Sequence, residues 1–341
     1  FYCSTPKGHL INSKDPISDL AALPAAEPAD LFDMATGDVE VSSIVACLKK
    51  RGFCVLRNLF TADVIDSVNA RADQYLGKPA IAGAPGYWQV DHPKKLVHPF
   101  TLGGPTLDLM LDDRVINIVE EVMDSECVLA ECMLKLDKGV GYTYFPMHSD
   151  FSIGWAKSPA ASDGLTLDQL KKVVGIGAVI YLAETNTGAF SYCDSTHKLL
   201  SPKGQNLNAY SEEERQLILA RKVRCDGLKG DLVLFDDRGF HGPDQPSNIE
   251  RLVILLDYFN VGELGHTQVS PMPIWSSDIA NLSEIQLRVA GVGANFMVAP
   301  NKYTHTRFQN NLWYRPLAWL VSRAYFWQHF KFIIKRLLGR T

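Results

Sequence analysis

The sequence predicts a mainly β fold with flanking helices, in which two antiparallel sheets close into a jelly roll. Three observations carry that prediction. Helical periodicity is concentrated before residue 124, five short strand-like runs follow between Cys127 and Phe259, and no segment repeats along the chain. Among two-sheet architectures, the jelly roll has an open mouth able to hold a metal ion and a small ligand between its sheets.

Residues 1–38 are rich in Pro, Ala, Asp and Ser without a sustained apolar period, and read as an irregular arm lying on the domain. Val41, Ile44, Val45 and Leu48 then recur at helical spacing, Gly52 stops that helix, and Phe53 to Leu59 reads as a strand. Thr61 is placed to cap a helix carrying Val64, Ile65 and Val68 up to Gly77, and a further helix is predicted over Leu107 to Met123. The strand runs are Cys127 to Leu136, Tyr142 to His148, Ile176 to Leu182, Asp231 to Phe235 and Leu252 to Phe259. They are rich in Val, Ile, Leu and aromatics and are punctuated by Gly, Asp, Asn and Pro. Ser211 and Glu214 have the spacing of a capping box for one intervening helix. A catalytic domain over 39–262 and a C-terminal extension over 263–341 complete the organisation.

At 341 residues, with 46% hydrophobic and 21% charged residues, the chain can bury a core without disulfides or a structural metal. Its seven cysteines show no paired or CxxC spacing, which predicts a reducing, cytoplasmic setting. No stretch reaches the roughly 18 apolar residues expected of a spanning helix. The net charge of −4 conceals an asymmetry, because nine basic residues and no acidic one follow Glu284.

His148-Ser149-Asp150 sets an imidazole and a carboxylate two residues apart, so on an extended strand both point to one face and can share a metal ion. Alone the motif is common. A second segment, Gly230 to Gly242, adds a Gly-Asp turn, an apolar strand and His241 between Phe240 and Gly242 in a glycine-rich loop. Two histidines and one carboxylate leave open positions on an octahedral ion, the arrangement that non-haem iron(II) oxygenases need to bind an oxo-acid and dioxygen together. Ten residues on, Arg251 opens the last strand, where a cation entering an apolar run needs an anionic partner. That partner is either a local carboxylate, Glu250 or Asp257, or the far carboxylate of a 2-oxo diacid gripped by paired hydrogen bonds.

Four segments taken in order, Arg51–Phe60, His148-Ser149-Asp150, Gly188–Lys198 and His241–Arg251, resemble the phytanoyl-CoA dioxygenase family across residues 39–260. The resemblance implies a double-stranded β-helix of cupin-like form, with iron(II) held by His148, Asp150 and His241. It implies 2-oxoglutarate chelated to that iron and held at its far end by Arg251, with dioxygen as the other co-substrate and succinate and CO2 as products. Lys135 lies near where relatives contribute a polar co-substrate contact, although a solvated strand lysine is the plainer reading. The chain also departs from the family. The usual Pro-Gly-Ser-His turn reads Asp194-Ser195-Thr196-His197, making His197 a framework residue, and Pro243 stands where some relatives place a co-substrate serine.

Related halogenases lack the carboxylate that Asp150 supplies, so hydroxylation, desaturation or oxidative cyclisation of a small organic substrate is expected rather than chlorination. Tyr144, Phe151 and Trp155 flank the metal motif as candidate walls of the substrate pocket or as simple core. After Pro316, Trp319, Phe326, Trp327, Phe330, Ile333 and Leu337 follow helical spacing with Lys331, Lys335, Arg336 and Arg340 around them. This basic amphipathic helix either packs on the protein or a second copy, or lies on an anionic membrane surface. No nucleic-acid motif is present. The competing readings are a jelly-roll binding protein without catalysis and a lipid-binding protein acting through the tail.

Overall fold

The computed structural model describes residues 17–74, 94–96, 99–137, 146–152, 164–201, 203–244, 250–266, 268, 274 and 276–292. Tyr144, Trp155 and the basic C-terminal helix lie outside the described residues. Among the described residues ten strands form: β1 (Leu31–Asp33), β2 (Phe53–Arg57), β3 (Lys94–Leu96), β4 (Cys127–Asp137), β5 (Gly175–Tyr181), β6 (Thr185–Cys193), β7 (Lys222–Gly227), β8 (Leu232–Asp236), β9 (His241–Pro243) and β10 (Arg251–Asn260). The larger sheet runs β1-β2-β8-β5-β10-β4-β3 and the smaller β7-β6-β9. His148 bridges His241 of β9 in antiparallel fashion, so its segment adds a fourth member to the smaller sheet. The fold is the predicted jelly roll with flanking helices.

The alternation of side chains explains the layers. On β10, Ile254, Leu256 and Tyr258 enter the main core under the helices, while Val253 joins Val179, Tyr181, Phe190, Tyr192, Val233 and Phe235 between the sheets. Central strand β5 is buried on both faces, which is why it reads as an unbroken apolar run. The helix Asp113–Met123 buries Val115, Ile116, Ile118, Val119, Val122 and Met123, each contributing about 1.5–3 kcal/mol. Its cap Asp112 accepts from the Arg114 N–H at 2.9 Å, worth about 1 kcal/mol. That cap divides the predicted 107–123 helix into Pro105–Met110 and Asp113–Met123.

The predicted capping box is present, with Glu214 N–H donating to Ser211 Oγ at 3.3 Å and Ser211 N–H to Glu214 Oε2 at 2.7 Å. Gly230 has φ +95°, and a Cβ there would lie 2.2 Å from the Phe60 carbonyl oxygen, so only glycine fits the turn leading into β8.

Described parts of both terminal segments pack on this body. The N-terminal arm is not wholly irregular: Leu31–Asp33 adds parallel to β2 at the sheet edge. Arg51 fastens the preceding stretch, donating to the carbonyls of Glu27 at 2.6 Å and Pro28 at 2.7 Å. At the other end, Ile274, Val289 and Ala290 are buried in the main core. These described residues of the C-terminal extension therefore pack on the body. Among the described residues no helix is long and apolar enough to cross a membrane, and the six described cysteines are buried and unpaired.

Candidate metal centre

Strand pairing brings the metal motif together. His148 N–H donates to the His241 carbonyl at 3.0 Å and His241 N–H to the His148 carbonyl at 2.8 Å, which seats the two residues opposite each other with ring centroids 4.7 Å apart. Asp150, two residues along, is held by its N–H to the Asp237 carbonyl at 2.9 Å and by the Gln205 side-chain amide on its own carbonyl. Its carboxylate then lies between the imidazoles, Oδ1 3.4 Å from His148 Nε2 and Oδ2 3.1 Å from His241 Nε2. Among the described residues, this is the one cluster of three candidate ligands whose donor atoms all lie within 4.8 Å of one another.

The donor set suits a divalent cation. His148 Nδ1 is 2.9 Å from the Pro146 carbonyl and His241 Nδ1 is 3.0 Å from the Gly239 carbonyl. A carbonyl can only accept, so each Nδ1 carries a proton, which leaves Nε2, the nitrogen facing Asp150, as the atom each ring can offer to a metal ion. Burial alone pulls the His148 pKa down, but the hydrogen bond and charge of Asp150 outweigh it and raise the value. Burial pushes Asp150 up, yet the charge of His241 and the hydrogen bonds from both rings hold it well below the usual carboxylate range. A carboxylate this strongly anionic between two inward nitrogens is ready-made for a metal ion.

The glycines around His241 make room for specific neighbours. A Cβ on Gly239 would stand 1.9 Å from the Tyr192 hydroxyl, which donates to the Asp236 carbonyl at 2.9 Å, and one on Gly242 would stand 3.2 Å from Met147 Sδ. Phe235 packs on the His241 ring with centroids 4.6 Å apart. The Asp194–His197 turn is rebuilt without Pro-Gly: Asp194 accepts from Arg51 Nε at 2.9 Å, and Ser195 takes the left-handed conformation at φ +66°. His197 is buried, with Nε2 3.2 Å from the Lys49 carbonyl, in the predicted framework role.

Arg251 is 3% exposed and opens β10 as expected, but its partner is neither Glu250 nor Asp257. Its Nε and Nη2 reach Asp137 Oδ2 at 3.0 and 2.5 Å, and Asp137 is its direct strand partner on β4. Lys135, two residues back on the same face, puts Nζ 3.0 Å from Asp137 Oδ1, so it is not a solvated strand lysine. Asp257 instead lies farther along β10, opposite Glu131 and Gly177. Phe151 is 1% exposed and packs edge-on against Phe259, centroids 5.3 Å apart, within an apolar cluster. Sequence reasoning missed Asp137 and Gln205. Period-two alternation back from Asp137 through Lys135 and Met133 was the available signal for the first; none pointed to the second.

No family model and no curated protein matches the chain. Solved structures do. Crystal structures of EctD from S. alaskensis superpose with TM-score 0.53 in the form with bound Fe, at 19% identity over 65% of this chain and 77% of that one. The form with 2-oxoglutarate and 5-hydroxyectoine gives 0.52, at 19% identity over 66% and 77%. The non-haem α-ketoglutarate-dependent carbocyclase SnoK from nogalamycin biosynthesis gives 0.50, at 12% identity over 69% and 88%. This chain shares their fold. At such identity the likeness establishes the double-sheet architecture, and the chemistry rests on the residues themselves.

Proposed function

We propose that the protein is an iron(II)- and 2-oxoglutarate-dependent oxygenase acting on a small organic substrate. The observation that carries the reading is the convergence of His148 Nε2, His241 Nε2 and the Asp150 carboxylate, each imidazole fixed in the metal-binding tautomer by a backbone carbonyl. The likeness in fold to EctD, crystallised with Fe and with 2-oxoglutarate, supports the same assignment. His148, Asp150 and His241 would hold the iron. Bound there with 2-oxoglutarate, iron(II) would supply the oxidising power, consuming dioxygen and releasing succinate and CO2.

The remaining work falls to this chain's own side chains. Arg251 and Lys135 both engage the carboxylate of Asp137, and their donors would receive the distal carboxylate of the co-substrate. Asp137 acts as the positioning residue that fixes the guanidinium. Because Asp150 occupies the carboxylate position, oxygen insertion, desaturation or ring closure is favoured over halogen transfer. Tyr144 and Trp155 remain the candidate walls of the substrate pocket. Anaerobic titration of 2-oxoglutarate into the iron(II)-loaded protein tests the proposal: a metal-to-ligand absorption band should grow in at one equivalent, and succinate should form on admitting air with substrate. Absence of both iron binding and the band would refute it.

A further inference from the structure

The inner face of the large sheet carries a second set of charges that the metal and co-substrate residues do not use. Glu131 on β4 and Asp257 on β10 are direct strand partners, and on its other side Asp257 faces Gly177 of β5. Their sequence neighbours Cys132, Leu134, Leu256 and Tyr258 enter the helix-side core, so alternation turns both carboxylates toward the space between the sheets. Asp237 reaches the same row from the end of β8, its Oδ1 lying 2.5 Å from the point that a Gly177 Cβ would occupy. The missing side chain at Gly177 is what admits it. The row Asp237, Asp257, Glu131 thus starts beside the metal site, where the Asp237 carbonyl accepts the Asp150 N–H, and runs past β5 to β10 and β4.

This row lacks counter-charge. Asp237 is 1% exposed and its Oδ1 has no hydrogen-bond partner. Among the described residues neither Asp237 nor Asp257 forms an ion pair with a basic side chain, and Lys95 offsets only Glu131 in part. At the other end of the face, by contrast, Asp137 stands between Arg251 and Lys135. Buried carboxylates of this kind call for a cation. A second metal ion does not fit, since among the described residues only the His148, Asp150, His241 set brings three ligand atoms within 4.8 Å of one another. An ammonium group, with hydrogen-bond donors pointing several ways, can bridge carboxylates spread along a sheet.

We propose that Asp237, Asp257 and Glu131 form a cation subsite that takes the protonated amine of the substrate and sets the attached carbon chain beside the metal. The inference rests on the oxygenase reading and adds the substrate class, an aliphatic amine. It is tested by calorimetry on the full-length metal-loaded protein, with butylammonium, hexylammonium and octylammonium as probes and the matching alkanols as neutral controls. The ammonium ions should bind at least tenfold more tightly than the alkanols. Asp257→Asn and, independently, Glu131→Gln should each remove most of that preference, and Glu131, at the less buried end of the row, keeps the test decisive if Asp257→Asn folds poorly. Equal binding of amines and alkanols, no binding of either, or a preference that survives both substitutions overturns the proposal. The 2-oxoglutarate absorption band is recorded in the same wild-type samples: its absence would remove the oxygenase reading, whereas loss of the amine preference alone removes only the cation subsite.

Discussion

Replacing Arg251 by alanine separates a structural from a co-substrate role, because the structure gives the guanidinium a partner of its own. Asp137 has no solvent-exposed side-chain surface and accepts from Arg251 Nε and Nη2 at 3.0 and 2.5 Å. Removing one member of a buried pair costs about 3–5 kcal/mol, since the other charge stays buried. Lys135 at 3.0 Å remains to offset part of it, so the lower end, about 3 kcal/mol, is expected in urea unfolding of the metal-free protein. Adding Asp137→Asn to Arg251→Ala removes the stranded charge and should recover about half of that loss. Co-substrate binding should not recover. Losing a charged, paired hydrogen bond to a carboxylate costs about 2 kcal/mol or more, roughly a 30-fold weaker dissociation constant. Both the single and the double variant should show it in anaerobic titrations followed by the absorption band. Arg251→Lys should retain iron and fall between, because lysine keeps the charge without the planar fork. If the double variant regained wild-type 2-oxoglutarate affinity together with its stability, Arg251 would be only a structural ion pair and the co-substrate would be anchored elsewhere.

Asp150→Ala and His241→Ala should each lose most iron binding and turnover while the metal-free protein stays folded by circular dichroism; full iron stoichiometry in either would break the triad assignment. Burial holds His197 below the usual imidazole range against the opposing pull of Asp236. Its native form therefore binds fewer protons than the unfolded chain, and stability is lost as pH falls through about 6.5 toward the depressed value, at up to about 1.4 kcal/mol per pH unit. His197→Gln should flatten that slope in urea melts of the metal-free protein, and an unchanged slope would place the titration elsewhere. Arg51→Ala strips the bonds to Glu27, Pro28, Asp30 and Asp194 and should cost about 3 kcal/mol. It should also speed proteolytic cleavage before Leu31, and cleavage at the wild-type rate would show that the arm is held by other contacts.

Much of the metal centre was legible because its logic is local. Two residues separated by one on an extended segment share a face whatever the rest of the chain does, so His148 and Asp150 announced themselves. The helix at Val41–Arg51 and the Ser211–Glu214 capping box were legible for the same reason, since their hydrogen bonds close within four residues. A histidine in a glycine-rich loop at a strand end marked His241, although the reason for Gly239, the Tyr192 hydroxyl packed against it, was invisible in one dimension. The division of the 107–123 helix lay within reach of local reading too: Asp112 and Asp113 interrupt the apolar period where a new cap forms.

The charges around the metal were decided by tertiary structure. Arg251 announced its need for an anion, but the choice of Asp137, 114 residues away, over the adjacent Glu250 depends on β4 and β10 pairing in one register. A shift of one residue would turn Asp137 and Lys135 to the other face. Asp237 likewise meets Asp257 only because β5 runs between their strands and carries a glycine at position 177. The sequence by itself determined the long helices, the central strands of the larger sheet and which residues could bind a metal, because periodicity, caps and alternation are set by neighbours a few bonds apart, while strands β6, β7 and β9 of the smaller sheet were not legible in it. Which charge faces which was left to closure of the two sheets, since strand register is chosen by burial of whole apolar faces and the charged residues on those strands are carried to wherever that burial puts them.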